Sequence, residues 1–259
     1  MFLEFFLDIT KLGFFVACAI ALLNGYARRQ KPRWAGPLTR RRLAVVGVLT
    51  LGVVAVKVIE DVVAKESGPV DEAILWFVRD HVPAALTAYF GVFTRSGSAA
   101  FLVPVAVVAA LVLLAARRRF EGVLIGVSLA TATLVVYTLK AVVGRTRPAL
   151  WESQWYWGSS FPSGHTLSTA AFSMAAALCV ARIWPRTGNL AMWLAILWTG
   201  LVALSRLILG VHWPSDVLAA ICIGLFIPLL ISVAFDLHRR NTDREDTAFE
   251  HVSAGRAKS

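Results

Sequence analysis

Cysteine is almost missing from this chain. Only Cys18, Cys179 and Cys222 occur in 259 residues, and each lies inside an apolar run. An odd number so placed supports no disulfide framework, and no spacing among them resembles a zinc site. They read as small buried hydrophobes. Acidic residues are also scarce, 16 against 26 lysines and arginines. No internal repeat is present.

What the chain does have is apolar sequence. Hydrophobic residues make up 58% of it, above the level of about 45–50% of soluble domains. They come in runs. A helix needs about 20 mostly apolar residues to cross a bilayer, and the runs 98–116, 122–139, 167–184, 190–208 and 217–235 qualify. The run 43–59 is nearly as good, with Lys57 close enough to one end to reach the interface. The weakest is 12–26, preceded by Asp8 and Lys11. A signal peptide would carry its basic residues before the apolar core. Here Glu4 and Asp8 precede it and the basic stretch follows, the order of a retained helix with its N-terminus outside.

The net charge of +10 raises the question of nucleic acid. Its distribution answers it. Basic residues gather in the connections: Arg28 to Arg42, Arg117 to Arg119, Arg182 with Arg186, and the tail from Arg239. That is the pattern of cytoplasmic loops and of contact with anionic lipid headgroups. No nucleic-acid partner is expected. With the 28–42 loop inside, every later basic cluster falls on the same side. The chain then makes seven crossings with the N-terminus out and the C-terminus in, or six if 12–26 only dips into the interface.

The stretch 70–95 is interrupted by Arg79, Asp80, His81 and Pro83. It reads as one or two amphipathic helices on the outer surface, the second starting near Pro83. Trp151, Trp155, Tyr156 and Trp157 favour the headgroup region. The tail after Arg239 is polar and is expected to lack regular structure.

Three polar clusters remain: KAVVGRTRP at 140–148, PSGH at 162–165 and SRLILGVHWPSD at 205–216. The parity of crossings puts all three on the extracytoplasmic face. Charge near a bilayer interior costs about 2.5–3.5 kcal/mol or more, so such residues usually face a cavity or a partner. Lys140, Arg147 and Arg206 are three cations whose motifs hold a single acid, Asp216. Such a pocket suits a multiply charged anion. Phosphate fits, with Arg binding its oxygens in a fork and Lys adding a point charge. Ser163 and Gly164 open a helix whose free N–H groups add to anion binding. Asp216 lies four residues after His212, and Pro214 suits a helix start between them. His212 is then expected in the turn, with Asp216 reaching back to it from the first helical turn. An imidazole whose other nitrogen is held by a carboxylate can attack phosphorus, and His165 is the natural general acid.

These motifs match K-x6-R-P, P-S-G-H and S-R-x5-H-x3-D in order. The chain so resembles the type 2 phosphatidic acid phosphatase (PAP2) superfamily over roughly residues 43–237, with every signature position filled. The resemblance implies that His212 is the nucleophile forming a phosphohistidine, that Asp216 orients it and that His165 is the acid. It implies that Lys140, Arg147, Ser163, Gly164 and Arg206 hold the phosphate, and that no metal or other cofactor is used. It implies an all-α integral-membrane bundle with a six-helix core, to which the run 12–26 adds one extra N-terminal helix. The domains expected are an N-terminal helix with a basic loop at 1–42, the catalytic bundle at 43–237 and a cytoplasmic tail at 238–259.

The expected activity is hydrolysis of a lipid phosphate or diphosphate, with undecaprenyl diphosphate the first candidate and membrane lipids the surroundings. Two alternatives are a phosphotransferase sharing the first half-reaction, and a binding or translocating protein without catalysis. The family's soluble haloperoxidases fit a membrane chain poorly. His81, His238 and His251 match no motif and read as solvated. Arg145 stands outside the signature, and the residues divide evenly between a site role and a surface role for it. The aromatics at 151–157 read first as a membrane anchor. The oligomeric state is not legible.

Overall fold

The computed structural model describes residues 42–151 and 158–256, with positions 13–14, 17–18, 20–22 and 25. Trp155, Tyr156, Trp157 and seven of the 15 residues of the run 12–26 lie outside the described residues, and with them the question of a seventh crossing. The described chain is all helical, without a strand: α1 Arg42–Val63, α2 Gly68–His81, a 3-10 turn Ala84–Leu86, α3 Thr87–Ser96, α4 Ala99–Ala115, α5 Arg119–Val143, α6 Gly164–Ile183, a 3-10 turn Pro185–Thr187, α7 Gly188–Ile208 and α8 Pro214–Arg256. Among the described residues, six stretches are long and apolar enough to cross a membrane: Leu43–Val63, Thr87–Ala115, Arg119–Val143, Gly164–Ile183, Pro185–Ile208 and Pro214–Asp236. Two compact units are distinguished, Val54–Leu229 and a second formed by Met1–Val53 with Leu230–Ser259. The polar clusters all belong to the first.

Within that unit α6 is the most buried of the six spans, and it packs against both α5 and α7. Its sequence explains why. Ala170, Ala171, Ala175 and Ala177 are all buried and let neighbouring backbones come close. α8 comes closest at Gly224, where an added Cβ would lie 2.6 Å from both Leu167 O and Ala170 Cβ. Ser173 and Thr199 hydroxyls meet at 3.0 Å between α6 and α7, a contact worth roughly 0.6 kcal/mol in a bilayer. Phe172 and Phe101 both set their edges against Trp198, whose indole N–H donates to Ser96 Oγ at 2.9 Å. α4 shows the opposite character. Phe101, Val103, Val107, Val108 and Leu111 are exposed along it, a surface suited to hydrocarbon and not to water.

The stretch 70–95 forms two helices, as expected, but the second, α3 after Pro83 and the 3-10 turn, is part of the membrane-length stretch Thr87–Ala115 and not a separate surface helix. α2 is amphipathic. Asp71 and Leu75 are buried on one face, while Ile74 and Phe77 are exposed. α5 continues to Val143, beyond the apolar run that marks it, so Lys140 rides on its last turn. α8 also outruns its apolar run, continuing to Arg256 through a polar tail expected to be unstructured. No Gly or Pro occurs from Leu229 to Ala254. Nothing in that stretch terminates a helix already propagating from the bundle.

Candidate active site

Four helix ends carry the polar residues, and consecutive spans run in opposite directions. The C-terminal ends of α5 and α7 therefore meet the N-terminal starts of α6 and α8. The contact is direct: Ser163 N–H, just before α6, donates to Asp216 O in the first turn of α8 at 3.2 Å.

α7 stops because of its own sequence. Gly210 takes φ +64, a left-handed conformation that favours glycine. Gly210 N–H bonds Leu207 O at 2.9 Å and Val211 N–H bonds Arg206 O at 3.2 Å, the Schellman pattern of a helix C-terminus. The indole of Trp151 closes over the glycine, and a Cβ there would meet it at 2.6 Å. The chain then turns through His212 into Pro214, which opens α8. Asp216 sits at the third helical position and accepts the Trp213 N–H at 2.9 Å, as the acid of a capping box does. The same Oδ2 faces His212 Nδ1 at 3.4 Å and accepts a hydrogen bond from Ser160 Oγ.

This arrangement settles the imidazole's polarity. A carboxylate only accepts, so Nδ1 carries the proton and Nε2 keeps its lone pair. Nε2 lies 3.3 Å from Arg147 Nη1, and the same nitrogen donates to Val211 O at 2.8 Å. Burial is the largest influence on the His212 ring and lowers its pKa to about 4. The hydrogen bond to Asp216 opposes that shift, and the positive charge of Arg206 reinforces it. His212 is therefore neutral near pH 7, the form a nucleophile needs.

The remaining expected residues gather around it. His165, half-buried at the start of α6, faces the charges of Arg206, His212, Arg147 and Lys140. Lys140 in turn faces Arg147, Asp216 and Arg206, and its Nζ donates to Ser159 O. Arg206 is 1% exposed and donates to Thr94 Oγ1 at 2.5 Å. Ser163 is fully buried. It stands at the N-cap of α6 but makes no side-chain cap bond, its hydroxyl lying 3.0 Å from that of Thr166. At Gly164 an added Cβ would come within 3.4 Å of Val136 Cγ1. All eight expected residues thus stand at one end of the bundle.

The structure decides one residue that the sequence left open, Arg145, and adds others that the sequence does not mark. Arg145 donates to Asp216 Oδ1 at 2.8 Å and to Asp71 Oδ2 at 2.6 Å, which places it at the site and not on the open surface. Ser160 reaches Asp216 from 56 positions away and Thr94 reaches Arg206 from 112. No local pattern marks either. For Trp151 the sequence suggests first a membrane anchor. Its place against Gly210, with Trp76 at 5.7 Å and the Arg79 guanidinium 5.2 Å from its ring, makes it a prop of the histidine turn.

The PAP2 superfamily model matches residues 121–240, the stretch that carries α5 to α8 and all eight residues. The fold agrees over a longer stretch. The crystal structure of a transmembrane PAP2-type phosphatidylglycerolphosphate phosphatase from Bacillus subtilis superposes with TM-score 0.67 at 25% identity, covering 73% of this chain and 95% of that one. Residues 121–240 thus match the PAP2 superfamily, and the fold is similar to that of a PAP2-type membrane phosphatase. Among PAP2 relatives, phosphatidylglycerophosphatase B of Escherichia coli (strain K12) is 39% identical over 83 residues, 32% of this chain and 30% of that protein. An undecaprenyl-diphosphatase of Sulfolobus acidocaldarius is 33% identical over 132 residues, 48% of this chain and 59% of that one. The chain thus spans less than a third of the length of the E. coli relative. The PAP2 match covers the histidine turn but not α2 or α3, so Asp71 and Thr94 come to the site from outside the matched stretch.

Proposed function

We propose that this protein is a membrane phosphatase that hydrolyses a lipid phosphate or diphosphate through a phosphohistidine on His212. The observation that carries the reading is the pairing of His212 Nδ1 with Asp216 at 3.4 Å, which leaves Nε2 beside Arg147 and in the electrostatic company of His165, Arg206 and Lys140. Nε2 attacks phosphorus and the bond from phosphorus to the lipid oxygen breaks. The protonated His165 gives its proton to that oxygen. Water then attacks the phosphohistidine, neutral His165 takes a proton from it, and the P–N bond breaks to release phosphate. Lys140, Arg147, Arg206, Ser163 and the backbone at Gly164 hold the three outer oxygens, whose charge is where stabilisation acts in phosphoryl transfer. His212, His165 and Asp216 do the chemistry, and no cofactor is required by these steps.

The site is read as extracytoplasmic and the C-terminus as cytoplasmic. Arg117 to Arg119 lie between α4 and α5, and Arg182 and Arg186 lie around the end of α6. Both clusters are at the helix ends opposite the site, where the positive-inside rule puts the cytoplasm. Undecaprenyl diphosphate and phosphatidylglycerol phosphate are the substrates to assay first, since relatives are named for them.

The test is phosphate release by purified protein across a panel of lipid phosphates and diphosphates, with no acceptor lipid present. Release dependent on His212 is expected for at least one of them. Turnover only when an acceptor lipid is added would make the protein a phosphotransferase. Arg206→Ala or Lys140→Ala is expected to lower kcat by about 10²–10³, the cost of losing one preorganised donor to a transition-state oxygen. A loss below tenfold would remove either cation from the phosphate site. The pH profile of kcat/KM is expected to be a bell. Once the substrate's own phosphate ionisation, about 6, is factored out, its acidic limb should lie at about 4, because burial lowers His212 to about 4 and a protonated ring has no lone pair to attack with. An enzyme limb near 6.5, the ordinary value of imidazole, would show that the nucleophile is solvated.

A further inference from the structure

Asp71 lies on α2, outside the matched motifs, yet it is 2% exposed and has three bonds to the machinery. Its Oδ1 accepts the backbone N–H of Ser215 at 2.8 Å, and its Oδ2 accepts the Ser215 hydroxyl at 2.6 Å. Oδ2 also pairs with Arg145 Nη2 at 2.6 Å. Ser215 is the second residue of α8, so Asp71 satisfies one of the N–H groups that a helix start leaves open, and does so from another helix. Arg145 completes a loop. Its Nη1 donates to Ser215 Oγ at 2.7 Å and to Asp216 Oδ1 at 2.8 Å, and its Nη2 also reaches Ser67 Oγ at 3.1 Å. The order of charges is therefore Asp71, Arg145, Asp216, His212.

We propose that Asp71 is a positioning residue for the nucleophile: it fixes the start of α8 and holds Arg145, which in turn sets the place and effective charge of the Asp216 carboxylate behind His212. The proposal rests on the phosphohistidine reading above. The physical case is that Asp216 shares its two oxygens among Arg145, Ser160, His212 and the Trp213 N–H, and that Arg145 is a cation bonded to it. A guanidinium also paired with Asp71 draws less on Asp216, so more of that carboxylate's charge remains for the imidazole. Without Asp71 the whole guanidinium charge bears on Asp216 and the support for a positive His212 weakens. Without Arg145 the opposite holds. The groups facing His212 are Asp216 from α8, Arg206 from α7, Arg147 from the connection after α5 and His165 from α6. Asp216 is faced in addition by Lys140 from α5. None of these changes in the variants below.

The two substitutions must therefore shift the titration of His212 in opposite senses. The experiment is single-turnover formation of the phosphohistidine from saturating labelled lipid phosphate as a function of pH, with the full-length protein in detergent. Asp71→Asn is expected to slow formation about 10–100-fold, the range found when a partner standing behind a reacting ligand is removed, while the lipid concentration at half-saturation stays within about twofold. Its acidic limb should move to lower pH by about one unit, the scale of a single charge acting through a protein interior of effective dielectric about 20. Arg145→Gln should move the limb upward by a similar amount, and the double variant should bring it back toward the wild-type position. Asp71→Glu keeps the charge and should keep the wild-type limb even where it slows the reaction. Should Asp71→Asn not fold, Arg145→Gln and Asp71→Glu still give the two diagnostic limbs. A common direction of shift for Asp71→Asn and Arg145→Gln, an unmoved limb in Arg145→Gln, or a displaced limb in Asp71→Glu would overturn the proposal and leave Asp71 a structural cap. Failure of the wild type to form any phosphohistidine would instead overturn the function on which it rests.

Discussion

His212→Ala is expected to reduce phosphate release to background, a fall on the order of 10⁴–10⁶, as when an enzyme loses the atom that forms its covalent intermediate. No neighbour can take over. Among the described residues, His165 is the other imidazole at the site. Rotating it into line would cost the proton it gives to the leaving oxygen. The cations around it carry no free lone pair. The substituted protein should still be folded, because the turn is set by the Gly210 cap, by Trp151 lying over it and by Pro214 opening α8, none of which needs the ring. Phosphate release within about tenfold of the wild type would mean that water attacks directly. Measuring release with diphosphate and monophosphate lipids covers the case in which the two classes differ.

Asp216→Asn is expected to lower kcat by about 10³–10⁴ with a smaller change in KM, as loss of the charge behind a catalytic histidine does in serine proteases. The side chain keeps its shape but changes two things. An amide can offer its N–H₂ to Nδ1, which favours the tautomer with the proton on Nε2 and so blocks attack. It also leaves Arg145 with Asp71 as its one remaining carboxylate and weakens the capping of α8. The same variant should therefore unfold more easily, by roughly 1–3 kcal/mol, the usual cost of spoiling a buried charged hydrogen bond. Thermal unfolding in detergent measures that loss, and steady-state release measures the other. A variant as active as the wild type would show that Nδ1 is oriented by something other than Asp216.

Much of this site was legible in the chain because the chemistry and its supports are local. The four-residue spacing of His212 and Asp216 across Pro214 is enough to put an imidazole in a turn and a carboxylate in the first helical turn. The three cations announce themselves because charge is expensive beside long apolar runs. The spans were legible for the same reason, and their parity alone brought the three motifs to one end. What stayed hidden is what acts across the bundle. Asp71 and Thr94 sit in a stretch whose mixed composition reads as surface helices, and their partners Arg145, Ser215 and Arg206 lie 74, 144 and 112 residues away. Arg145 showed no preference by itself, since an arginine beside a membrane is usually an anchor. Its role follows only from the two carboxylates it joins. Helix ends were the other shortfall. Hydropathy stops at the first charge, whereas α5 continues to Val143, just before Gly144, and α8 to Arg256.

The central claim is that His212 Nε2 becomes covalently bonded to phosphorus. The direct measurement is rapid quenching of the wild-type protein, under alkaline conditions that preserve phosphohistidine, during its first turnover of a lipid labelled in the reacting phosphoryl group, followed by mapping of the label on digested protein. The account predicts acid-labile label on the peptide bearing His212, formed no more slowly than phosphate is released and absent from His212→Ala. Label on any other residue, or phosphate released in the first turnover with no labelled protein at any time, would contradict it.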